Sequence, residues 1–108
     1  VYASGILFGA VMIHDAQEIN VRGLMVHHVE PGSIGQAQEV ARSDVLEAVD
    51  GKPVVDLMDL HARLQAAARE KRRVELSFKR LVGGDYAFAY AQRRLYVRDL
   101  RLVEPIAN

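Results

Sequence analysis

The chain has 108 residues, half of them hydrophobic, which suits one compact domain with roughly two-thirds of its unfolded surface buried on folding. Fourteen basic residues balance fourteen acidic ones, so the overall field gives no attraction for nucleic acid or an anionic membrane. The absence of cysteine excludes disulfides, thiolate metal sites and a cysteine nucleophile, and leaves the redox compartment open.

Residues 5–13 read as a mostly apolar strand, with Gly5 loosening its start. The run Ile6 to Ile13 is far too short to span a bilayer and has no positive segment before it, so it is not read as a signal peptide. Because the chain starts at Val1 and not at Met, it is expected to be a segment of a longer protein. A polar connection, His14 to Asn20 with Asp15, Gln17 and Glu18, precedes a second strand, Leu24 to Val29, which ends at the Pro31-Gly32 turn. His27 and His28 are adjacent, and strand alternation places them on opposite faces, so they do not make one metal site.

Ser33 is a helix cap for a short helix reaching about Val40, and Asp44 to Val49 reads as a strand closed by the Asp50-Gly51 turn. The strongest helix signal follows, with Asp56 as N-cap, an apolar stripe at Leu57, Leu60, Leu64 and Ala67, and Arg69, Lys71 and Arg72 at its C-terminal end. Val74, Leu76 and Phe78 then alternate with Glu75, Ser77 and Lys79 as in a half-buried strand. After a Gly83-Gly84-Asp85 turn, two further strands are expected, one in "YAFAY" (86–90) and one in "RLYVRDLRLV" (94–103). This order predicts an α+β domain, a curled antiparallel sheet or partly open barrel capped by two helices. One domain, 1–108, is expected, with a core over about 5–81 and a C-terminal strand extension over 85–104.

The segment from Gly23 to Val54, "GLMVHHVEPGSIGQAQEVARSDVLEAVDGKPV", resembles the central block of PDZ domains, in particular the bacterial form found beside HtrA-like, trypsin-like serine proteases. Val29, Pro31, Gly32, Ser33, Val40, Asp44, Val49, Asp50, Gly51 and Val54 fall at the family spacing, and the helix from Asp56 to Glu70 takes the place of the ligand-groove helix. Ile34 departs from the usual proline, and Glu39 and Ser43 stand where two glycines are common. A non-glycine residue held at positive φ would cost about 1–2 kcal/mol, so a rearranged loop is expected between Glu39 and Ser43.

The resemblance implies a noncatalytic module that binds protein C-termini or extended peptides as an added strand. In that frame Leu7, Phe8, Gly9 and Ala10 form the loop for a terminal carboxylate, with N–H groups from Phe8, Gly9 and Ala10. Val11, Met12 and Ile13 continue the strand that pairs with the peptide, and Phe8, Ala10 and Met12 line a pocket for its last side chain. Leu57, His61 and Leu64 line the groove from the helix, while Leu60 faces the core. Without the resemblance, "LFGA" reads as a core strand in which Gly9 marks a bulge or close packing. The family further implies a bacterial parent such as an envelope serine protease, located in the periplasm or cell envelope. No cofactor, no nucleic acid and no membrane insertion are expected, and self-association is left open.

Other chemistry is weakly signalled. His14, Asp15, His27 and His28 lack a ligand spacing such as H-E-x-x-H, so no metal is expected. Ser4, Ser33, Ser43 and Ser77 sit in no nucleophile elbow. The basic runs Arg69 to Arg73 and Gln92 to Arg94 read as solvated surface, and Tyr86, Phe88 and Tyr90 as sheet packing. Two rival readings stand beside the peptide module. One is an assembly module whose groove is filled by its own segment Tyr86 to Asn108, and the other a fragment completing a composite active site.

Overall fold

The computed structural model describes residues 1–14, 20–82 and 87–103. The polar connection over 15–19, the Gly83-Gly84-Asp85 turn, Tyr86 and the end of the chain from 104 lie outside the described residues. The elements are β1 (Tyr2–Ala3), β2 (Ile6–His14), β3 (Asn20–Val29), α1 (Ile34–Ala37), β4 (Val45–Val49), β5 (Lys52–Pro53), α2 (Leu57–Arg69), β6 (Arg73–Val82) and β7 (Ala87–Tyr96). The strands lie in the order β1-β2-β3-β4-β6-β7, with β5 on β4, and every pairing is antiparallel. The expected α+β, PDZ-like class is what the structure shows: an antiparallel sheet that does not close, with two helices.

Alternation explains the core. Ile6 and Phe8 of β2, Leu24 and Val26 of β3, Val74, Leu76 and Phe78 of β6, and Leu95 of β7 all turn inward and are buried. A register shift between Leu46 and Ala48 lets both Leu46 and Val49 of β4 reach the same core. Phe8 and Phe78 stack with ring centroids 6.5 Å apart. Helix α2 begins at Asp56, whose carboxylate accepts from the Asp59 N–H at 2.8 Å. It buries Leu60, Leu64 and Ala67, each leucine contributing about 1.5–3 kcal/mol relative to an exposed one.

Several features differ from the sequence expectation. The two strands expected at the end of the chain are one continuous strand, β7, paired residue for residue with β6 from Arg73↔Tyr96 to Val82↔Ala87. The register between β2 and β3 shifts from Leu7↔His28 to Phe8↔Val26, so His27 is the extra residue of a bulge and simple alternation does not apply. His27 and His28 are both exposed. Finally, Val1 to Ala3 form a hairpin arm that local sequence did not signal. The Phe8 N–H donates to the Val1 carbonyl at 2.7 Å, and the Val1 amino group donates to the Phe8 carbonyl at 3.1 Å.

That hairpin turns at Ser4 (φ 54°) and Gly5 (φ 84°), the two consecutive positive φ values of a type I′ turn. Gly5 therefore defines the start of β2 and does not loosen it. A Cβ there would collide with the Ser33 side chain. The turn also holds its neighbours. Gly35 N–H donates to the Ser4 carbonyl at 2.9 Å and Glu30 N–H to the Gly5 carbonyl at 2.8 Å. The buried Ser4 hydroxyl donates to the Tyr96 carbonyl and accepts from the Arg98 N–H. Beyond it, Tyr2 and Arg101 exchange two backbone hydrogen bonds of 2.8 Å, so the segment after β7 runs along β1.

The loop after α1 is left-handed at both positions in place of the expected rearrangement: Glu39 has φ 62° and Ser43 φ 77°. Tertiary contacts hold it there. Ser43 N–H donates to the Val26 carbonyl, and Val26 N–H to the Asp44 carbonyl, both at 2.8 Å. The Asp44 carboxylate, 3% exposed, accepts from the Ala41 N–H at 3.0 Å and from Arg80 Nε and Nη2 at 2.6 and 2.9 Å. Arg80 Nη2 also reaches the Glu39 carbonyl. These hydrogen bonds to Asp44 push the Arg80 guanidinium pKa still higher.

Gly5→Ala is expected to destabilise the fold by about 2–4 kcal/mol, measured by urea unfolding, since it combines positive φ with a side-chain collision. Glu39→Gly and Ser43→Gly are each expected to stabilise by about 0.5–1 kcal/mol in the same assay, relief of left-handed strain outweighing the added freedom of the unfolded chain.

Candidate functional site

The outer edge of β2 changes character along its length. At Phe8 both backbone polar groups point away from β3 and are taken by Val1. In an antiparallel ladder these directions alternate, so Gly9, opposite Met25, faces β3, and Ala10 and Met12 face outward again. Among the described residues no strand pairs with that outward edge past Phe8. Helix α2 packs against β2 and β6. An open strand edge beside a packed helix is the arrangement that strand addition requires.

The predicted site residues separate on this frame. Leu7, Phe8, Gly9 and Ala10 form no loop; they are four consecutive residues of β2. Their N–H groups alternate in direction and cannot converge on one carboxylate, and the Phe8 N–H is already engaged. Phe8 is core, stacked on Phe78, and does not line a pocket. Ala10 is exposed, and Val11, Met12 and Ile13 continue β2 opposite Gly23, Arg22 and Val21. On α2, Leu57 and His61 are half-buried, whereas Leu64 is 1% exposed and belongs to the core with Leu60. Leu64 therefore cannot offer its side chain to a ligand.

Gly9 has a different task from the one expected of it. Its backbone is outside the left-handed region, and a Cβ would run into the His27 imidazole. The glycine makes room for that ring on the outer face of the sheet. The bulge at His27 creates the approach, and no local sequence signal marks it.

The start of α2 is anchored to β5. Arg63 donates to the Lys52 and Pro53 carbonyls at 2.8 and 2.7 Å and pairs with Asp59 at 3.0 Å. The Val55 N–H, more than any other partner, holds the Asp59 carboxyl below its usual range, and Arg63 adds to this. Just before and within the first turn, Val55 and Met58 are exposed.

Within the basic runs, Arg72 pairs with Asp50 and Glu70, and Arg94 with Glu75. The Asp50 carboxyl is opposed by some burial, but the Glu75 N–H and Arg72 hold it below the usual range. The guanidinium groups of Arg73 and Arg98 each lie over the Tyr96 ring, and Tyr90 is exposed. No group of three or more metal-ligating side chains occurs among the described residues. Among them, no helix is long and apolar enough to cross a membrane.

No family model matches the chain, and no curated protein does. A solved structure assigned to the S41 proteases, from Bacteroides fragilis, superposes with a TM-score of 0.54 at 10% identity, covering 95% of this chain and 25% of that one. At that identity the likeness is one of fold. The chain spans a quarter of the length of that structure's chain, so the same fold occurs as one part of a larger chain assigned as a protease.

Gly9→Ala is expected to leave stability within about 1 kcal/mol, because the atom it displaces is the end of an exposed side chain. The measurable change is in the His27 ring resonances by NMR, with the β2–β3 amide signals retained.

Proposed function

We propose that the domain is a protease-associated peptide-binding module that takes an extended polypeptide segment as an added strand on the outer edge of β2, beside α2. The open edge from Ala10 onward is the observation that carries this reading: Ala10 and Met12 direct backbone donors and acceptors outward, and no described strand meets them. Main-chain hydrogen bonds would supply affinity, and half-buried Leu57 and His61 on α2 would help select side chains. The alternating N–H directions favour extended internal segments over free C-termini.

The PDZ-like motif from Gly23 to Val54 and the fold shared with part of an S41 protease chain both support the protease association. The parent we propose is a bacterial envelope protease in which the module, itself without catalysis, presents substrate to the catalytic domain. A second reading is an assembly module with an occupied groove. The pairing of Val1 with Phe8 favours it, because the chain already covers the start of that edge. The described part of the C-terminal segment runs along β1, so it is not the proposed occupant.

Ala10→Pro tests the reading. It removes an outward N–H that the sheet does not use, a position where an edge strand tolerates proline. By fluorescence polarisation, binding of unstructured peptides is expected to weaken by roughly tenfold or more, while urea unfolding stays near that of the parent. Amidating the peptide C-terminus is expected to change affinity by less than about twofold, since no charge-assisted carboxylate contact is lost. Unchanged binding by Ala10→Pro would transfer support to the assembly reading.

A further inference from the structure

Away from the β2 edge, a cavity of about 260 Å³ opens between the loop that ends at Asp44 and the inner face of the β6–β7 hairpin. Its origin is in the cross-strand pairs. Phe78 of β6 stands opposite Ala91, and Arg80 opposite Ala89, so large side chains on one strand face methyl groups on the other and leave the space unfilled. Phe78, Ala89 and Ala91 give it an apolar floor and wall, and Tyr90, the guanidinium-bearing Arg80 and Arg93, and Asp44 complete its lining.

The two arginines are not equivalent. Arg80 is committed to buried Asp44 through two short hydrogen bonds. Arg93, with only 29% of its side chain exposed, has as its acidic neighbour Glu39, whose carboxylate is 3.7 Å away and 82% exposed. That separation is beyond hydrogen-bond range. Glu39 also sits on strained backbone, at φ 62°, in the loop whose carbonyl Arg80 holds. A half-covered cation beside a small apolar cavity, with an acid standing off from it, is suited to a ligand that carries its own carboxylate.

We propose that this cavity binds a small organic carboxylate, its acid group on Arg93 and its apolar body over Ala89, Ala91 and Phe78. The volume lies just under the roughly 300–1,000 Å³ of sites for drug-sized molecules, so the ligand is of monocyclic size. The same chemistry is offered by a free aryl or alkyl acid and by the last residue of a peptide.

The full 108-residue chain is titrated with phenylacetate, with benzyl alcohol as the uncharged control, following amide and Arg93 Nε–H signals by NMR. The expected result is saturable shifts at Ala89, Ala91 and Arg93 with the acid and none that saturate with the alcohol. Arg93→Ala is expected to weaken binding roughly tenfold or more, and Glu39→Gln, which removes the competing carboxylate, to tighten it. Ala91→Leu fills the cavity with an apolar side chain and is expected to abolish binding while the chain remains folded. N-acetylphenylalanine distinguishes the two sources: tighter binding than phenylacetate indicates a peptide terminus, weaker binding a free acid. Equal shifts with acid and alcohol, or shifts that survive both Arg93→Ala and Ala91→Leu, overturn the proposal. None of these variants touches the β2 edge, so failure here leaves the strand-addition test independent.

Discussion

The two-residue turn at Ser4 and Gly5 is the constraint on which the remaining arrangement depends. It demands positive φ twice in succession, and at the second position it also demands the absence of a side chain beside Ser33. Once formed, it presents two carbonyls and a hydroxyl to three other parts of the chain: the start of α1, the end of β3 and the segment leaving β7. The two carbonyls and the hydroxyl are thereby matched, as their burial requires. The hairpin arm it creates decides how much of the β2 edge stays open.

Much of the architecture was legible in the residues themselves. The caps at Ser33 and Asp56, the Leu60-Leu64-Ala67 stripe and the alternation of Val74, Leu76 and Phe78 are local signals, and each lies where its pattern implies. What escaped is nonlocal. A two-residue strand has too little length for a periodic pattern, and the Ser4 hydroxyl meets partners more than ninety positions away in the chain. The β-bulge at His27 depends on the partner strand's register, which a single strand does not encode. The merging of the last two expected strands into β7 follows from its continuous ladder with β6, again a property of the pair.

The local geometry around the predicted site residues escaped the sequence for the same reason. An apolar run containing a glycine is compatible with a loop, a bulge or a close contact, and only the neighbour across the sheet separates them. Here that neighbour is an imidazole, and the glycine serves packing. The loop from Glu39 to Ser43 shows the complementary case. Local preference argued against left-handed backbone at two side-chain-bearing residues, yet a bidentate Arg80–Asp44 pair and a strand-like exchange with Val26 over-determine it. Asp44 is buried with every carboxylate contact charge-assisted or amide-donated, which makes the ion pair a register pin for that loop.

The short arm at Val1 to Ala3 also sets a ruler on the β2 edge. With positions up to Phe8 already covered, the open length runs from Ala10 to His14, about five residues or roughly 17 Å of extended chain. Three residues within it, Ala10, Met12 and His14, direct their paired backbone groups outward. On the proposed strand-addition reading, a guest strand on this edge would be short and held at few points, and its selectivity would fall on the alternate side chains meeting the flank of α2. Under that proposal the shortness of the open edge would suit brief sampling of many segments better than lasting capture of one.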